Sequence, residues 1–164
     1  MSFILPKIQI AAALAAVAVA VSVSAEVHVG GVVVDAAGAP VASAKVWVSQ
    51  AGQAKTCVTN DKGEFNVREV GPGYADVVAL KEGLALGGGK AFTVGGANAR
   101  IVLGAPGTLS FRTVDEKLLP LPGVRVKSML VNDTCFVLVD DLLAGGFPQL
   151  RSNDEGVLDI PFLP

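Results

Sequence analysis

Two phrases of this chain are written twice, in the same order. "VDAAGAPVASAKV" begins at Val34, and "VDEKLLPLPGVRV" begins at Val114, 80 residues later. Val34, Asp35, Pro40 and Val46 recur as Val114, Asp115, Pro120 and Val126, while Ala44 and Lys45 are answered by Val124 and Arg125. "TNDKGEFNV" (Thr59 to Val67) returns as "SNDEGVLDI" (Ser152 to Ile160), 93 residues on. Self-similarity of this kind marks a chain built of repeated supersecondary units. The change of offset from 80 to 93 puts 13 extra residues in the second unit, within Lys127 to Arg151.

The units read as β-structure, because apolar residues recur with a period of two rather than 3.6. Expected strands of the first unit are Val27 to Val34, Ala44 to Val48, Ala54 to Thr59, Glu64 to Val67, Tyr74 to Leu80, Ala91 to Val94 and Ala99 to Leu103. Between them lie turn signals: Asp35 to Pro40, Asn60 to Gly63 and Gly71 to Gly73. About seven short strands with turns every 8–12 residues describe a β-sandwich. Ala85 to Lys90, with three consecutive glycines, reads as a flexible loop that opens no helix and so makes no phosphate cradle.

The second unit is incomplete. It reaches Ile160 without a counterpart of Gly71 to Leu103, and half a sandwich exposes an edge and an apolar face. The expectation is a piece of a longer protein, or a unit completed by strands from elsewhere.

Ahead of the repeats, Ile8 to Val23 is apolar except for Gln9 and Ser22, follows Lys7, and ends in Ser24 and Ala25. This is the layout of a secretory signal peptide, with cleavage expected after Ala25. The expected organisation is therefore a leader at 1–25, a sandwich at 26–104 and a truncated second sandwich at 105–164. No stable membrane insertion is expected once the leader is removed, and the expected location is secreted, periplasmic or cell-surface. Loss of Lys7 leaves 12 basic against 15 acidic residues, scattered without a basic run, which excludes a nucleic-acid partner.

"GVVVDAAGAPVASAKVWV", "TNDKGEFNV" and "GPGYADVVALKEG" together resemble the carboxypeptidase regulatory-like domain. The matching positions are Val33, Asp35, Gly38, Pro40, Ala44, Val46, Thr59, Asp61, Gly63, Phe65, Gly73 and Tyr74, with an extra Asn60 inside the hairpin signature. The second unit matches more weakly, with Leu118 in place of Gly38 and Leu158 in place of Phe65. The resemblance implies an all-β fold of tandem transthyretin-like seven-stranded β-sandwiches, the second incomplete, after an N-terminal signal helix. It implies an accessory module and names no ligand.

Residues that could carry chemistry are few. His28 is the sole histidine and stands on the first strand between valines, so neither a catalytic triad nor the histidine cluster of the fold's purine-pathway hydrolase is expected. "NDKGE" and "SNDEG" lack the acid spacing of a calcium loop and read as plain hairpin turns. The first strand has no lysine for the Lys–Asn crosslink of some surface-protein relatives; Lys45 lies on the second strand and Asn98 near the last. No metal and no cofactor are expected.

Cys57 and Cys135 are either two buried thiols or, in an exported chain, a bridge. Trp47 alternates with Val46 and Val48 and therefore faces outward with Lys45. Trp47 and Lys45 are the candidate contacts for a protein or carbohydrate ligand, unless a neighbouring loop or domain covers the ring. The expected function is a non-catalytic exported spacer or ligand-contact module in a larger protein with further domains. The alternatives are an accessory domain of a secreted peptidase or carbohydrate-active enzyme whose catalytic part lies beyond residue 164, or the periplasmic extension of an outer-membrane receptor.

Overall fold

The computed structural model describes residues 27–93 and 96–163, so the expected leader and its cleavage point lie outside the described residues. The first unit comprises β1 (His28–Asp35), β2 (Lys45–Gln50), β3 (Gln53–Val58), β4 (Glu64–Arg68), β5 (Tyr74–Leu80), β6 (Gly87–Phe92) and β7 (Ala97–Leu103). The second comprises β8 (Gly107–Arg112), β9 (Ser128–Val131), β10 (Cys135–Leu138), the short helix α1 (Val139–Leu143) and β11 (Val157–Leu163). No helix among the described residues is long and apolar enough to cross a membrane.

Strands β4-β1-β7 form one sheet and β3-β2-β5-β6 the other. β1 runs antiparallel to β4, with Val32 opposite Glu64, and parallel to β7, with Val29 beside Ala97 and Asp35 beside Leu103. Alternate residues of the two sheets meet in a first core. Val29, Val33, Phe65, Val67, Ile101 and Leu103 come from one side, and Val46, Val48, Val77 and Ala79 from the other. Each valine fully buried there contributes about 1.5–3 kcal/mol.

The repeat is reproduced bond for bond. The Asp35 carboxylate accepts the amides of Ala37 and Ala39 at 2.9 and 2.8 Å, and Asp115 accepts those of Lys117 and Leu119 at 2.8 and 2.9 Å. Thr59 Oγ1 donates to the Val41 carbonyl and accepts the Ala44 amide; Ser152 Oγ does the same for Leu121 and Val124. β8 pairs antiparallel with β11 as β1 does with β4, and the bridge between Arg125 and Arg151 stands where Lys45 faces Val58. Leu118 even adopts the left-handed backbone (φ +63°) of its counterpart Gly38 (φ +87°).

The glycine run departs from expectation. Gly87, Gly88 and Gly89 are not a loop; they form half of β6, which pairs with β5. Glycine is needed because β6 is approached closely from both sides. A Cβ on Gly87 would stand 2.7 Å from Leu103 Cδ2, and one on Gly88 would stand 3.0 Å from Val131 Cγ1. Asn132 Nδ2 also donates to the Gly88 carbonyl at 3.1 Å.

β9, β10 and α1 lie within the segment where the second unit carries its extra residues. Asn132 and Asp133, both at positive φ, turn β9 into β10. The apolar side of this hairpin and helix packs on the outward face of the four-stranded sheet. Trp47, Val78 and Leu86 of the first unit join Val131, Cys135, Val137, Leu142, Phe147, Leu158, Ile160 and Phe162 of the second in a second core. The four-stranded sheet is thus covered on both faces.

Candidate interaction surfaces

Trp47 does point away from the first core, but it is not available to a ligand. It is 1% exposed. Its Nε1 donates to the Leu142 carbonyl at 3.1 Å, and its ring meets Phe147 edge to face with centroids 5.6 Å apart. Gly145 lies against the indole, where any side chain would collide with Trp47 Nε1 and Thr56 Cγ2. Lys45 Nζ stands 5.6 Å from the Trp47 ring centroid, so the cation caps the buried indole. The expectation of a ligand-contacting Trp47 and Lys45 is therefore corrected. The outward face was read properly, and the second unit's extra segment fills it.

The cysteines are both free thiols, and the bridge is not formed. Cys57 packs against the first core, whereas Cys135 is fully buried in the second, donating toward the Val77 carbonyl at 3.7 Å. The cores occupy opposite faces of the four-stranded sheet, so the sheet itself separates the sulfurs. Burial raises the pKa of both thiols. For Cys135, desolvation together with the neighbouring Asp76 carboxylate pushes it from 9.0 up to about 12.

Polar groups gather instead on the outer face of the three-stranded sheet. Strand register sets them in rows: Asn66, Gly30 and Asn98 across one, and Glu64, Val32 and Arg100 across the next. His28 stands opposite Arg68 at the end of this face. These residues line an open groove of about 670 Å³. Two amides, a carboxylate and a guanidinium along a floor of glycine and valine offer both donors and acceptors to an extended polar ligand. Among the described residues no three His, Cys, Asp or Glu side chains converge as metal ligands. The single Asn98 was noticed in the sequence, but the row became visible only with the parallel register of β7.

Apolar side chains are exposed elsewhere. Tyr74 and Phe92 pack against each other with centroids 5.0 Å apart, and Leu130, Phe136 and Leu138 line the outer side of the β9–β10 hairpin. On β8, Leu109 and Phe111 are 45% and 47% exposed, although Val29, the counterpart of Leu109, is wholly buried.

Among solved structures, the TIE protein of Bacillus anthracis aligns at 14% identity and a TM-score of 0.41, covering 82% of this chain and 26% of that one. A Streptococcal ancillary pilin aligns at 17% identity and a TM-score of 0.41, covering 87% and 51%. The 3-chlorocatechol 1,2-dioxygenase of Rhodococcus opacus 1CP aligns at 14% identity and a TM-score of 0.41, covering 49% and 60%. The chain spans less than two thirds of each of these proteins. No curated protein matches the chain. Residues 28–104 match the family of carboxypeptidase regulatory-like domains, and they coincide with strands β1 to β7. The first sandwich is a carboxypeptidase regulatory-like domain.

Proposed function

We propose that the protein is a non-catalytic structural module of an exported, larger protein, a spacer whose two units are held rigidly together and whose polar groove contacts a protein or carbohydrate ligand. The observation that carries the reading is the shared second core. Trp47, Val78 and Leu86 of one unit are buried with Leu142, Phe147 and Phe162 of the other. A linker that merely connected two beads would not cost this much apolar surface, whereas a spacer that transmits position needs a large apolar junction. The apolar leader ending at Ala25 supports export.

Hydrogen exchange tests the spacer. Amides of β9, β10 and α1 should be protected to the same degree as those of β2 and β5, and lose protection with them. Rapid exchange across β9 to α1 beside a protected first sandwich would refute a rigid junction. Glycan and peptide arrays test the groove. Binding that survives Asn66→Ala combined with Asn98→Ala would place the contact elsewhere.

A further inference from the structure

The unpaired edge of β8 extends the reading as a structural module, although it rests on the repeat rather than on that reading. In the first unit, β1 is flanked by β4 on one side and by the parallel β7 on the other. In the second, β8 has β11 where β1 has β4, and among the described residues no strand stands on its other side. Its residues alternate cleanly. Thr108, Ser110 and Arg112 lie on one face, where Ser110 donates to Asp159 at 2.5 Å. Leu109 and Phe111 lie on the other, opposite Ile160 and Leu158.

That apolar face is continuous with an interface already made. Leu158, Ile160 and Phe162 are buried in the second core, while Leu109 and Phe111 beside them remain about half exposed. Leu121 and Val124, the counterparts of the buried Val41 and Ala44, are each 40% exposed as well. We propose that β8 is an acceptor edge: it takes a parallel strand donated by a second polypeptide, apolar on the Leu109 and Phe111 face and acidic beside Arg112.

The direction follows from the first unit, where the strand in this place runs parallel to β1. The charge follows from the rows. Glu64, Val32 and Arg100 set opposite charges on either side of an apolar residue. The equivalent row holds Val157 and Arg112, with the cation at the centre and its other flank open. An acidic side chain at that flank pairs across the strands, and a basic one is repelled. Pairing of β8 with its own copy about Ser110 would set Arg112 against Thr108 and supply no anion, so a different donor fits the edge better. Main-chain bonds then give affinity and the alternate side chains give selectivity.

The test uses the purified protein and a synthetic peptide of residues 96–104 carrying Arg100→Glu, acetylated and amidated, alongside the unsubstituted peptide. The expected result is saturable one-to-one binding of the Glu peptide with NMR shifts concentrated on amides 107–113. Binding of the Arg peptide should be about tenfold weaker, and Leu109→Ser or Phe111→Ser should weaken the Glu peptide by at least about tenfold. Arg112→Ala should erase the difference between the peptides. Trp47 emission should be unchanged in all three variants, which separates failure of this edge from failure of the rigid junction. Absence of saturable binding overturns the proposal. So do shifts confined to β1, which mean exchange with the protein's own β7, and a dimer that Phe111→Ser dissolves, which means β8 pairs with itself.

Discussion

Replacing Trp47 by alanine should loosen the second unit while sparing the inner face of the first. A buried tryptophan removes about 150–250 Å² from water, worth about 4–6 kcal/mol at about 25 cal/mol per Å². Alanine retains part of this, so the expected loss is about 3–5 kcal/mol, the usual range for an aromatic truncated in a core. The hydrogen bond adds little to that figure. The Leu142 carbonyl also accepts the amides of Gly145 at 3.0 Å and Phe147 at 3.2 Å, so it is not orphaned when the indole leaves. Only the net worth of one bond, about 0.5–1.5 kcal/mol, is lost. Trp47→Phe should therefore cost about 1–3 kcal/mol, by packing and this bond together. Urea unfolding followed by circular dichroism reads the loss, since the substitution removes the chain's only tryptophan. Hydrogen exchange then reads its location. Protection should fall first in β9, β10 and α1, because Val46 and Val48 face the other core. A loss for Trp47→Ala below about 1 kcal/mol would mean that the second core does not close over the ring, and the reasoning would fail.

Three further outcomes follow from particular residues. Leu118 is 78% exposed and left-handed, so Leu118→Gly should stabilise the protein by about 0.5–1 kcal/mol and raise the Tm; a fall would show that the strain is not there. Gly88→Val should destabilise by about 1–3 kcal/mol, because its side chain would press on Val131 and Cys135; a neutral result in urea unfolding would mean the hairpin does not sit on β6. Cys135 should resist alkylation at pH 8 in the native state. As its folded pKa is raised, its contribution to stability is complete below pH 9.0 and is lost as pH rises from 9.0 toward about 12. Urea midpoints should fall over that window, and Cys135→Ala should flatten the fall.

Much of the fold is written in short-range chemistry. Asp35 and Asp115 each close a turn on their own amides two and four residues on, and Asn60 and Asn153 each accept the amide four residues on at the hairpins. Such contacts span a few residues, so the spacing of Asp, Asn, Gly and Pro reveals them directly. The same holds for Tyr74–Leu80, whose period places it as a strand with the bounds the sequence suggests. The glycine run is different. Locally it says only that the backbone is free, and the strand it forms depends on β7 and the β9–β10 hairpin closing on it from either side. No hairpin was read in Ser128 to Leu138, although Asn132 and Asp133 are residues that accept the left-handed turn.

By itself, then, the sequence determined the leader-like start, the period-two strands, the repeated turns and which face Trp47 takes, because each depends on neighbours along the chain. Tertiary structure alone decided what lies over that face. Trp47 and Leu142 are 95 residues apart, and Cys57 and Cys135 fall on opposite sides of a sheet that only long-range pairing assembles. Whether an outward side chain meets solvent, ligand or a second core depends on the shape of a distant segment, and alternation along one strand carries no record of that shape.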